Sequence, residues 1–145
     1  MHVRDGMSRV GLVVGPDHTL REAAKLMAER KVGAAVVVDP ELPGAGIVTE
    51  RDIAMSVGNG EDPASERVSE HMATDIVYAA PDWSMEEAAV TMVRRGFRHL
   101  VVVDGGELSG VLSMRDIVRV WTDDGASCEL PAAVSALPVS GPHGA

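Results

Sequence analysis

The chain states nearly the same thing twice. When residues 3–57 are laid over 68–121, Val3, Met7, Pro16, Asp17, Glu22, Ala23, Ala24, Met27 and Arg30 fall on Val68, Met72, Pro81, Asp82, Glu87, Ala88, Ala89, Met92 and Arg95, each pair 65 apart. The block Val36–Asp39 meets Val101–Asp104 at the same offset. The offset then drops to 64, and Gly46, Arg51, Asp52 and Ile53 meet Gly110, Arg115, Asp116 and Ile117. The one-residue slip falls in a Pro/Gly-rich turn, where an insertion costs little. A repeat of this length is one folded unit duplicated. Two half-domains that cannot each bury a full core are expected to pack face to face. A pseudo-twofold axis between them would create two related clefts, an arrangement suited to binding.

Each repeat predicts the same elements. A short apolar stretch, Leu12-Val13-Val14 or Ile76-Val77-Tyr78, is stopped by Pro-Asp. A helix follows, opened by a capping box of Thr19 with Glu22 or Ser84 with Glu87. Its apolar residues recur at helical spacing: Leu20, Ala23, Ala24 and Met27, then Met85, Ala88, Ala89 and Met92. The runs Ala34–Val38 and Leu100–Val103 read as strands buried on both faces. A turn and a second strand, Gly46–Val48 or Leu108–Leu112, complete a hairpin. A second helix begins near Thr49 or Ser113. The fold class is α/β (α+β), with two pseudo-symmetric β-α-β-β-α repeats packed sheet to sheet as one module. The expected division is 1–58 for the first repeat, 59–67 for a polar linker, 68–122 for the second repeat, and 123–145 for a mobile C-terminal tail.

Composition narrows the function. Of 145 residues, 46% are apolar but only 3% aromatic, so the core must be built from aliphatic side chains and Met. The formal net charge of −9 argues against non-specific binding to nucleic acid or insertion at an anionic membrane, and it also serves simple solubility. The single cysteine, Cys128, cannot form an internal disulfide, which fits a cytoplasmic setting. The start of the chain lacks the apolar core of a signal peptide. The five histidines show no metal-ligand spacing, so no metal site is expected.

The segments Gly46-Ile47-Val48-Thr49-Glu50-Arg51-Asp52 and Gly110-Val111-Leu112-Ser113-Met114-Arg115-Asp116 carry the chemistry. Thr49 with Asp52, and Ser113 with Asp116, have the spacing of a helix cap with an acidic residue in the first turn, and capping alone could account for them. The same residues also bring a hydroxyl, a carboxylate and a helix N-terminus to the mouth of a cleft. Free N–H groups favour a phosphate. A carboxylate can accept both hydroxyls of a ribose, and the adjacent arginine can neutralise phosphate. Spacing leaves both readings open.

The repeat order, these two motifs, Val68–Met72 and Gly96-Phe97-Arg98-His99-Leu100-Val101-Val102-Val103-Asp104 together resemble a tandem pair of CBS domains, the Bateman module, over residues 3–121. The resemblance implies a regulatory module for adenosine compounds (AMP, ADP, ATP or S-adenosylmethionine), with Mg²⁺ entering only on a nucleotide and no cofactor required. It implies one site from Ile47, Thr49 and Asp52 with Asp75, Ile76, Phe97 and His99, and with Arg51 and Arg98 near phosphate. The other site would take Val111, Ser113 and Asp116 with Val10, Gly11, Val32 and Ala34, and Arg115 near phosphate. Where the first has Arg98-His99, the second has Gly33-Ala34, so the first is expected to hold a polyphosphate more tightly. The resemblance also implies a homodimer formed through helix faces, here Ala-rich with Met27, Met92 and Ala54-Met55, and a regulated partner protein.

An enzyme is not expected. There is no Gly-x-x-x-x-Gly-Lys loop, no Gly-x-Gly-x-x-Gly fingerprint and no Gly-x-Ser-x-Gly elbow. The alternatives to a sensor are a ligand-free structural or dimerisation module and, further off, a weak nucleotide hydrolase.

Overall fold

The computed structural model describes residues 1–9 and 11–123. Val10, Cys128 and the tail expected from 124 onward lie outside the described residues. The first half comprises α1 (Val3–Gly6), β1 (Val13–Val14), α2 (Leu20–Arg30), β2 (Ala34–Val37), β3 (Gly46–Thr49) and α3 (Glu50–Gly58). A 3-10 turn at Val68–Glu70 leads into β4 (Tyr78–Ala79), α4 (Met85–Arg95), β5 (His99–Asp104), β6 (Glu107–Ser113) and α5 (Met114–Asp123). Asp123, where the sequence pattern fades, is still helical. Two three-stranded sheets form, ordered β1-β2-β3 and β4-β5-β6. In each, the first pair is parallel and the second an antiparallel hairpin.

Alternation along the strands assigns three cores. Ala35 and Val37 of β2 and Val48 of β3 face α2, together with Leu20, Ala23 and Met27. Leu100, Val102 and Leu112 face α4 and α5, together with Ala88, Met92, Ile117 and Val120. The opposite faces meet each other: Ala34, Val36 and Ile47 from one sheet, Val101 and Val111 from the other. The sheets therefore pack face to face, and each inner strand is buried on both sides. Met27 and Met92 are interior to their own halves, at 4% and 0% exposure. They fill cores because their helices need a long apolar residue there, and they are not part of any outer helix face.

The segment before each repeat crosses to the other half. Val3 and Met7 pack into the core of the second sheet, and Val68 and Met72 into that of the first. The backbone repeats the exchange. Val3 N donates to Trp83 O at 2.8 Å, and Val68 N to His18 O at 2.8 Å. Ser8 pairs with Val111 on β6, and Ala73 with Ile47 on β3. Gly110 is required at this crossing, because a Cβ there would collide with the Ser8 carbonyl. The linker is also built in. The N–H groups of Leu20 and Arg21, left free at the start of α2, donate to the carbonyls of Glu66 (2.9 Å) and Pro63 (3.1 Å).

The two hairpins differ where the offset slips. Gly105 and Gly106, both at positive φ, form a two-residue turn with Asp104 opposite Glu107. The first hairpin instead closes through a longer loop beyond Val37 and Gly46. Of the two expected capping boxes on α2 and α4, Thr19 and Glu22 exchange both bonds at 3.1 Å. Ser84 accepts from Glu87 N at 3.0 Å, and the return bond from Glu87 is not made.

Candidate functional site

The two hydroxyl-carboxylate motifs are helix caps in fact. Asp52 Oδ2 accepts from Thr49 N at 2.8 Å and from Thr49 Oγ1 at 3.0 Å, while Thr49 Oγ1 accepts from Asp52 N at 3.3 Å. Asp116 Oδ2 accepts from Ser113 N at 2.8 Å, and Ser113 Oγ accepts from Asp116 N at 3.0 Å. Each cap uses one carboxylate oxygen and leaves the other. Among the described residues Asp52 Oδ1 has no protein partner, whereas Asp116 Oδ1 is met by Arg119 at 3.4 Å. Capping and ligand contact are therefore compatible in one side chain. The helix starts offer less than the sequence suggests. Glu50 N donates to Gly33 O and Met114 N to Arg98 O, both at 2.9 Å, and the hydroxyls take the N–H groups of Asp52 and Asp116. Among the described residues this leaves the amide of Arg51 or Arg115 as the free first-turn donor.

Two clefts open at these helix starts. The first, about 230 Å³, is lined by Ile47, Thr49, Arg51, Asp52, Ile76, Phe97, Arg98 and His99 from the expected set, with Glu50, Ala73, Gly96 and Val101 added. Asp75 is not among them. Its neighbour Ile76 takes the inward position against the sheet-to-sheet core and leaves Asp75 exposed. The second cleft, about 730 Å³, is lined by Gly11, Val32, Ala34, Val111, Ser113, Arg115 and Asp116 as expected. Ser8, Leu12, Lys31, Gly33, Glu50, Arg98, His99, Met114 and Val118 complete it. The expected poverty of cations in the second cleft is not found. Arg98 and His99 line both clefts, because β5 begins between them, and Lys31 adds a further cation. Lys31 ends α2 in the left-handed region, at φ 56°. Its counterpart Gly96 does the same at φ 69° without a side chain.

His99 is half-buried, and burial pushes its imidazole below the usual histidine range. Glu50 and Asp116 pull it up, and Arg98 and Arg115 add to the depression. The Arg95 guanidinium stands 5.5 Å from the centre of the Phe97 ring, a cation–π contact beside the first cleft.

Folding also gathers three side chains that no sequence spacing announced. Donor atoms of Glu61, Glu66 and His71 lie within 4.8 Å of one another, the one arrangement among the described residues able to hold a metal ion. Their present partners are internal. His71 Nε2 meets Glu66 Oε1 at 2.9 Å, and the buried Ser56 donates to Glu61 Oε1 at 3.1 Å. The neighbouring Glu66 carboxyl, then the bond from Ser56, holds the Glu61 carboxyl below its ordinary range. The cluster ties the linker to α3.

Comparison with known proteins agrees with this architecture. The family model for the CBS domain matches residues 3–59 and 68–123. The chain is 36% identical over 116 residues to the CBS domain-containing protein YhcV of Bacillus subtilis, covering 79% of this chain and 81% of that one. Among solved structures it superposes with a TM-score of 0.75 on a protein with CBS domains from Burkholderia ambifaria, at 36% identity, covering 84% of this chain and 90% of that one. The CBS domain pair of protein MJ0100, in complex with 5′-methylthioadenosine and S-adenosyl-L-methionine, shares the fold at a TM-score of 0.76 and 22% identity, covering 86% of this chain and 98% of that one. No helix among the described residues is long and apolar enough to cross a membrane. With two matched copies, two like-ordered sheets and the paired clefts between them, the chain belongs to the CBS-domain family.

Proposed function

We propose that this chain is a regulatory module that senses an adenosine compound (AMP, ADP, ATP or S-adenosylmethionine) and controls a partner protein, in a cytoplasmic setting. The observation that carries the reading is the free Oδ1 of Asp52 at the mouth of a cleft that also holds Arg51, Arg98 and His99. In this reading Asp52 and Asp116 accept the ribose hydroxyls, and Thr49 and Ser113 lie near ribose or phosphate. Ile47, Ile76 and Phe97 on one side, and Val32, Ala34 and Val111 on the other, supply apolar walls for adenine. Arg51, Arg98 and Arg115 face phosphate. The ligands of the MJ0100 pair support the adenosine class. Asp52 is the stronger ribose acceptor because Arg119 competes for Asp116.

Dimerisation belongs to the same reading. Met55 and Val57 on α3 and Val118 and Trp121 on α5 are all more than half exposed, from 52% to 58%. Val57 and Trp121 occupy equivalent repeat positions. These faces suit a homodimer built through α3 and α5.

Thermal shift with AMP, ADP, ATP and S-adenosylmethionine on the wild type, Asp52→Ala and Asp116→Ala tests the proposal. A ligand at about 100 times its Kd stabilises by about 2.7 kcal/mol, a rise of roughly 5–10 °C for this size. The rise is expected to shrink more in Asp52→Ala than in Asp116→Ala. No rise with any compound would favour the ligand-free structural module, in which both carboxylates serve only as caps.

A further inference from the structure

The two clefts share a wall. Glu50, Arg98 and His99 line both of them. Arg98 and His99 stand at the start of β5, and Glu50 opens α3, so the wall draws on both repeats. Their repeat counterparts are Gly33, Ala34 and Met114, none of which is charged. The pseudo-symmetry is thus broken at this wall, and the charged residues stand between the clefts. Glu50 folds back over its own repeat, where a Cβ placed on Gly33 would lie 3.1 Å from its Oε1, and it lines both clefts beside Arg98 and His99 of the other repeat. His99 senses Glu50 and also Asp116, a carboxylate of the second cleft, which places its ring in the field of both sites.

We infer that Glu50, Arg98 and His99 make simultaneous occupancy of the two clefts by phosphate-bearing ligands mutually unfavourable, while an uncharged or cationic adenosine compound in one cleft is tolerated beside a polyphosphate in the other. The inference rests on the adenosine-ligand reading above and specifies its regulation. One guanidinium and one imidazole cannot serve phosphates on both sides. A phosphate in one cleft removes those donors from the other and faces it with like charge across the shared wall. Glu50 adds a fixed negative charge that both clefts see. The molecule then reports a combination of ligands rather than the amount of one.

Isothermal titration with ATP and with adenosine tests this. Asp52→Ala and Asp116→Ala each isolate one cleft, and their melting temperatures without ligand check that they fold. The second ATP is expected to bind the wild type at least about fivefold more weakly than the same cleft binds it alone, with the same factor measured from either side, as linkage requires. Adenosine should show a factor of less than about two. Glu50→Gln should tighten ATP in both clefts. The wild type supplies a measure free of variants: raising salt to about 0.5 M should narrow the gap between the two ATP constants and leave adenosine unchanged. Equal ATP constants alone and together would overturn the shared-wall inference and leave the sensor reading standing. Absence of binding by every adenosine compound would overturn both.

Discussion

His99 links protonation to folding. Burial lowers its pKa most, with Arg98 and Arg115 assisting against Glu50 and Asp116. The unfolded chain, with a histidine pKa of about 6.5, therefore takes up the proton before the folded one does. The contribution of His99 to stability is full above that pH and is lost as pH falls below it. Urea midpoints at pH 7.5 and 5.5 should converge in His99→Gln relative to the wild type; an unchanged difference would remove His99 as the source. The chemistry of Thr49, Asp52, Ser113 and Asp116 was legible in the sequence because a cap is set by a spacing of three. The ligand role proposed for them, and the sharing of Glu50 across clefts, depend on which repeat faces them, which spacing does not encode. Asp75 was misplaced for a related reason. Counting along an irregular segment does not show which of two neighbours turns inward, and the apolar one, Ile76, did.

The apolar periodicity of α2 and α4, the buried runs at β2 and β5, and the Gly-Gly hairpin all follow from local sequence. The crossing of α1 and of the Val68–Glu70 turn does not. An apolar pair such as Val3 and Met7 announces that it must be buried, but not in whose core. The crossing has a measurable consequence. Val3 is fully buried against the second sheet, so Val3→Ala should cost about 2 kcal/mol through lost packing, as should Val68→Ala on the other side. Chemical denaturation measures both. A loss below about 0.5 kcal/mol, the range of ordinary surface substitutions, would mean that the exchanged segment does not hold the core together.

The described residues form two sheets joined by a thin aliphatic layer, with clefts of charged and apolar side chains at its edges and apolar helix faces outside. The duplicated sequence made this plan readable, since neither half has enough aromatic or long aliphatic residues to close a core alone. The outer face is less readable, because an amphipathic helix shows that it has an apolar stripe, not whether a spare stripe remains. On α5, Ile117 and Val120 fill the interior while Val118 and Trp121 remain outside. Trp121→Glu should convert a dimer into a monomer in sedimentation velocity while changing the melting temperature of the monomer little. A wild type that sediments as a monomer would contradict the proposed dimer face.

The reciprocal exchange of leading segments also bears on how such a molecule could arise and be divided. A gene encoding only one repeat would produce a chain whose opening segment has no core of its own to enter. Its remedy is a second copy of itself, each lending the other its first residues. Fusing two such copies end to end turns an encounter between molecules into a step within one. Thereafter the halves can diverge independently, and the wall of Glu50, Arg98 and His99, whose repeat counterparts Met114, Gly33 and Ala34 carry no charge, is a difference that two identical chains could never have displayed.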